Sequence, residues 1–135
     1  MSQEGRSPSS LRSDLARVRG LGSAKSGVGH WWAQRVTALA LIPLTVWFVA
    51  QIVHLAGAPH AAVVDWVASP VPAILLILLV VAAFHHAQLG LQVVIEDYVH
   101  GDGAKLFWLL LIKAAAIVLG LAIVFAVFRM YSWGS

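Results

Sequence analysis

The stretch PAILLILLVVAAFHHAQLGLQVVIEDYVH, residues 72–100, decides how this chain folds. Its first 13 residues, Pro72 to Phe84, are wholly apolar, and two histidines follow at once. Thirteen are too few to cross a hydrocarbon core of roughly 30 Å, which takes about 20 helical residues. The helix therefore has to carry His85, His86, Gln88 and Gln92 into the membrane with it. An ionisable side chain at that depth costs about 2.5–3.5 kcal/mol on insertion scales when charged, and by default marks a functional site. Neutral imidazole is also a common axial ligand of haem iron, so the stretch implies electron handling inside a bilayer.

The rest of the composition agrees. With 60% hydrophobic and 11% charged residues among 135, and a mean hydropathy of +0.84, the chain has more apolar surface than a soluble domain could hide. The absence of cysteine excludes thiolate-held iron–sulfur clusters, covalent c-type haem and disulfides from this chain. Neither common glycine-rich phosphate loop occurs, so nucleotide chemistry has no home here. A pI near 9.8 could suggest nucleic acid as a partner. The basic residues gather instead at the N-terminal end, as membrane orientation requires, and no nucleic acid is expected.

The pattern predicts an all-α membrane protein with three transmembrane helices. Spans are expected at about 33–56, 72–95 and 106–130, within an anchor domain over 30–131. A basic cytoplasmic tail over 1–29, partly disordered, precedes it, and a short tail over 132–135 follows. Leu11, Leu15 and Val18 fall on one face of a short surface helix in the basic tail. Pro43 removes one backbone hydrogen bond inside the first span and predicts a kink. Pro59, Asp65 and Pro70 make 57–72 read as a turn-rich connection, and Gly101-Asp102-Gly103 breaks the chain before the third span. Orientation follows from charge. Arg6, Arg12, Arg17, Arg19, Lys25 and Arg35 lie on the N-terminal side and Lys105 in the second loop, while 57–71 holds neither Lys nor Arg. The positive-inside rule then sets the N-terminus in the cytoplasm (or a mitochondrial matrix) and the C-terminus in the periplasm. Trp31, Trp32 and Trp108 mark the inner interface; Trp66, Tyr131 and Trp133 mark the outer one.

At 100° per residue the second span presents two polar faces. His86, Gly90 and Asp97 fall within roughly 40° of one another. An imidazole with glycine one turn away suits a flat macrocycle; it equally suits a helix interface in which the ring bonds a neighbouring carbonyl. Tyr98 stands at a depth where a phenol can hydrogen-bond the polar head of a lipid-soluble ligand. His85, Gln88, Gln92 and Glu96 form the second face, and such stripes usually join helices through hydrogen bonds. Gly90 shares the face of His86 and not that of His85, which favours His86 as ligand. Arg35 either snorkels to the inner surface or clamps an anion, a haem propionate or quinone carbonyl. His30 is either a hydrogen-bond donor at the same site or a solvated histidine. Lys113, about 10 Å inside the third span, can snorkel inward. His54 and His60 read as solvated or structural.

With these residues in place, the chain resembles the hydrophobic membrane anchor subunit of succinate dehydrogenase over about residues 28–131. The most specific piece is His86-x-x-x-Gly90 followed by Gln92-Val-Val-x-x-Asp97-Tyr98-Val-His-Gly-Asp102. A weaker one is Trp32-x-x-Arg35-x-Thr37. The resemblance implies that His86 is an axial ligand of haem b and that Tyr98, with Asp97 beside it, binds ubiquinone. It also implies that Arg35 lies near the haem propionates and the quinone pocket. The implied partners are a flavoprotein subunit, an iron–sulfur subunit and a second membrane anchor subunit of the cytochrome b556 type, in a bacterial inner membrane. Succinate chemistry then belongs to the soluble subunits, not to this chain. Adjacent residues on a helix point about 100° apart, so His85 and His86 cannot clamp one iron from opposite sides. The second axial ligand is therefore expected from another chain. Two other readings stand beside this one: a self-contained small cytochrome b, and a structural or transport protein whose polar stripe only joins helices.

Overall fold

A computed structural model describes residues 23–134, all of them helix or short connection. The expected surface helix through Leu11, Leu15 and Val18 lies outside the described residues. Four helices follow one another: α1 (Ser23–Leu55), α2 (His60–Ala68), α3 (Pro70–Tyr98) and α4 (Asp102–Gly134). Three of them, over Gly27–Leu55, Pro70–Tyr98 and Asp102–Gly134, are long and apolar enough to cross a membrane. At 1.5 Å per residue α3 is about 43 Å long and α4 about 50 Å, so both outrun the hydrocarbon core. The chain is a multi-pass membrane protein.

Local chemistry sets the breaks. α1 is helical straight through Pro43 and ends where Gly57 takes φ +82, a left-handed conformation that glycine adopts without a Cβ clash. The connection that reads as turn-rich contains α2. It starts after Pro59 and stops at Ser69, because the residue before a proline is driven out of the helical region; Ser69 sits at φ −74, ψ 142. Ser69 satisfies the end it closes, its N–H donating to Trp66 O and its hydroxyl to Asp65 O at 2.8 Å. Pro70 then opens α3 at the position where a missing N–H costs nothing. Gly101, at φ +106, turns the chain between α3 and α4.

The chain divides into two units, residues up to Ala33 and Gln34 onward. In the first, Trp31 and Trp32 meet edge to face at 5.1 Å. In the second, α3 packs along α4, and α2 lies against both. α2 is also pinned to α1: Trp47 and Trp66 stack at 5.9 Å, and Trp66 Nε1–H donates to Gln51 Oε1 at 3.1 Å. Among the described residues only Ala73, Leu89, Ile95 and Val127 are buried hydrophobics, while side chains such as Val46 (67% exposed) and Phe125 (65%) face outward. The apolar surface of this fold is turned to lipid and to other chains rather than to a core of its own.

Candidate functional site

The site begins where α1 and α3 touch. His86 is half-buried there, and its Nδ1 lies 3.1 Å from the hydroxyl of Thr37 on α1. The same hydroxyl is 3.2 Å from the carbonyl oxygen of Gln34, one turn back on α1. Gln34 points its amide at Gly90: a Cβ built on that glycine would come no closer to a neighbouring residue than 3.9 Å, to Gln34 Nε2. Gln34 Oε1 is buried and accepts no hydrogen bond among the described residues. The contact is thus an imidazole, a hydroxyl and an amide, with Gly90 one turn beyond His86 and room there for a Cβ at ordinary contact distance from Gln34. The helix-interface option for His86 is realised, though through a threonine hydroxyl and not a carbonyl. It occupies one ring nitrogen and leaves Nε2 for a ligand.

His85 is in different surroundings. Its exposed ring lines a recess of about 250 Å³ between α3 and α4, with Phe84, Gln88, Ala116 and Gly120 on the walls. Gln88 and Gln92 continue into a second recess of about 190 Å³ that Lys113 also lines. Among the described residues no hydrogen bond of Gln88 or Gln92 to another helix is present. Gln92 Nε2–H donates to Glu96 Oε1 at 2.9 Å within α3 itself, because the two stand one turn apart on the same face.

The remaining predicted residues are spread along the chain. Asp97 and Tyr98 are exposed at the end of α3, with Tyr98 at 76%. Arg35 is exposed and lies two residues before Thr37, about 200° round α1, so it leaves the helix on the side away from His86. His30 is exposed and belongs to the first unit. The structure therefore brings together His86, Gly90, Thr37 and Gln34, while Asp97 and Tyr98 stand about three turns further along α3. Sequence reasoning missed Thr37 and Gln34 as neighbours of His86. Thr37 stood in the Trp32-x-x-Arg35-x-Thr37 pattern, but no periodicity links a residue on α1 to one on α3.

Could these residues hold a haem? Among the described residues no three His, Cys, Asp or Glu side chains gather as a metal centre built by this chain alone would need. A porphyrin brings four donors of its own and asks the protein for axial ligands. One half-buried imidazole whose Nε2 makes no hydrogen bond among the described residues, one turn from a glycine that presents no side chain, fits that demand for a single axial ligand. No second axial ligand stands at this level: α1 presents Thr37 there, α4 contains no histidine, and Met130 is near its far end.

Comparison with known proteins bears on the same question. The family described as succinate dehydrogenase/fumarate reductase transmembrane subunit matches residues 9–128. The chain belongs to this family. Three of its relatives carry the same assignment. The succinate dehydrogenase hydrophobic membrane anchor subunit of Rickettsia bellii is 31% identical over 87% of this chain and 94% of its own length. The corresponding subunit of Paracoccus denitrificans is 33% identical, over 65% of this chain and 68% of its own. The succinate dehydrogenase membrane anchor subunit of Reclinomonas americana is 30% identical over 69% and 80%. No solved structure matches the chain significantly. Membership of the family favours neither a self-contained cytochrome nor a transport protein.

Proposed function

We propose that this chain is the hydrophobic membrane anchor subunit of a succinate:quinone oxidoreductase in a bacterial inner membrane. It would tether a flavoprotein and an iron–sulfur subunit, pair with a second anchor subunit, share a b-type haem with it and help form the ubiquinone site. The observation that carries the haem part is His86, in contact through Nδ1 with Thr37 and with no hydrogen bond at Nε2 among the described residues, one turn from Gly90. When bound, the haem supplies one-electron chemistry at the level of the quinone. This chain's own part is to offer one axial nitrogen and to hold its ring in a fixed plane. A bound haem would take its other protein ligand from the partner anchor, and would then also fasten the two anchors together.

Tyr98 and Asp97, at the inner end of α3, act on the quinone. The phenol donates to a carbonyl of the ring, and the carboxylate orients the neighbouring backbone and polar groups. Arg35 supplies positive charge near the inner surface, and a guanidinium's fixed fork suits a propionate or carbonyl better than an ammonium does. His30 would join it as a donor. The N-terminus faces the cytoplasm, since Lys and Arg crowd that side and avoid 57–71.

Purification of the tagged chain in mild detergent tests the reading. A flavoprotein, an iron–sulfur protein and a second small membrane protein should co-elute, with a b-type reduced-minus-oxidised spectrum. The chain isolated without any partner yet showing an unaltered bis-histidine spectrum would defeat the shared haem. A reporter that works only in the oxidising outer compartment should be active when fused after Ser135; activity only of a cytoplasmic reporter would reverse the orientation.

A further inference from the structure

The hydroxyl of Thr37 carries a single proton, and it lies within hydrogen-bond distance of both Gln34 O and His86 Nδ1. Gln34 O, at 3.2 Å, is a carbonyl and can only accept. His86 Nδ1, at 3.1 Å, can donate or accept, according to which ring nitrogen bears hydrogen. Both contacts are satisfied together in one way. The hydroxyl donates to Gln34 O, and its oxygen accepts from Nδ1–H of His86. The proton of the neutral ring is then on Nδ1 and the lone pair on Nε2, the form a metal requires. If the hydroxyl instead donated to Nδ1, the ring proton would sit on Nε2 and block it, and the approach to Gln34 O would be wasted.

We infer that Thr37 is a positioning residue for His86: it sets the tautomer, fixes the plane of the ring and tunes its strength as a ligand. The inference rests on the reading of His86 as an axial ligand. The hydrogen bond a ligating histidine makes through its second nitrogen is known to fix ring orientation and to raise ligand basicity. A hydroxyl is a neutral and modest acceptor, so it holds Nδ1–H without drawing the ring towards imidazolate. It also comes from a different helix than the histidine does. The ring is therefore held by a local contact between α1 and α3, and a shift of Thr37 relative to His86 would be felt at the ligand. Ligand basicity in turn sets the reduction potential, because a stronger donor favours the ferric state.

Thr37→Val keeps the β-branched shape and removes the acceptor, whereas Thr37→Ser keeps the hydroxyl. Both are made in the whole complex and examined by redox titration of the haem and by electron paramagnetic resonance of its low-spin ferric form. In Thr37→Val the midpoint potential should rise, as a weaker donor stabilises ferric iron less, and the low-spin signal should shift or broaden. Thr37→Ser should return both towards wild type, and succinate oxidation with a soluble artificial acceptor should be unchanged in either. Should Thr37→Val lose haem outright, restoration by Thr37→Ser still supports the inference and its failure overturns it. A Thr37→Val complex with wild-type potential and signal overturns it too. His86→Ala separates the two layers. A haem signal unaffected by His86→Ala removes the ligand reading and this inference with it; a signal lost there but indifferent to Thr37→Val removes the role of Thr37 alone.

Discussion

His85 and His86 are neighbours in sequence, of the same chemistry and nearly the same depth, yet α3 delivers them to unlike places. One residue step on a helix is 100°, enough to send His86 into the contact with α1 and His85 into the groove beside α4. On the first face a second helix answers the imidazole with a hydroxyl, and Gly90, one turn away, adds no side chain of its own. On the second face no hydrogen bond crosses the groove among the described residues, and Gln92 turns to Glu96 on its own helix. A polar stripe in a membrane helix is thus not one kind of feature. The face that another helix meets with a specific hydrogen bond holds its group in one geometry, as cofactor ligation requires. The other keeps its polar groups adaptable and leaves them for lipid or another chain.

The strongest way to break this contrast is to remove each ring in turn. His86→Ala should abolish or grossly perturb the low-spin haem spectrum and loosen the pairing of the two anchors. His85→Ala should leave the spectrum nearly intact, since no element of this chain holds that ring. Difference spectra of the purified complexes, with the ratio of the two anchors on a gel, decide it. Loss of haem in His85→Ala with retention in His86→Ala would exchange the roles of the two faces.

How much of this was legible beforehand depends on the range of the cause. The three long helices, the breaks at Gly57 and Gly101 and the stop before Pro70 follow from apolar runs and from glycine and proline chemistry within a few residues. α2 was not foreseen, because Pro59, Asp65 and Pro70 dominate the reading of 57–72. Yet proline is welcome at either edge of a helix, and the apolar residues between them pack on α4 and stack through Trp66. On α3 the assignment of faces needed only helical geometry. What no local pattern could give was the partner of each face: Thr37 against His86, and the intrahelical bond that replaces the expected links of Gln92. Arg35 shows the same limit from the other side. It is two residues from Thr37 in sequence, and helical rotation carries it away from the histidine contact.

A smaller effect is expected where α3 ends. Tyr98→Phe keeps the ring and deletes one hydroxyl, the loss of a hydrogen bond worth about 1 kcal/mol, or roughly fivefold in the rate constant for quinone reduction at low quinone. Tyr98 is exposed and has no hydrogen-bond partner among the described residues, so folding should be indifferent to the change. Succinate-dependent quinone reduction should fall while reduction of a soluble acceptor by the same complex persists. Parallel loss of both activities would point to failed assembly and remove the quinone role from this end of the helix.

The smallest effects offer the finest test, because they set one light substitution on each face. Gly90→Ala adds a methyl group on the His86 face, where the nearest atom of another residue is 3.9 Å away, an ordinary contact. Helix propensity alone would make that change favourable by about 1 kcal/mol, so this chain by itself has no reason to resist it. A macrocycle lying over Gly90 does have a reason, and the variant complex should assemble with a shifted spectrum or reduced haem content. Gln92→Leu, on the other face, deletes a bond to Glu96 of the kind worth about 0.2–0.5 kcal/mol on an isolated helix. It also makes the helix more apolar, and its spectrum and haem content should match wild type. If Gln92→Leu disturbed the haem more than Gly90→Ala, the missing side chain of Gly90 would have nothing to do with the cofactor. The haem-facing side of α3 would then have to be sought on the groove beside α4.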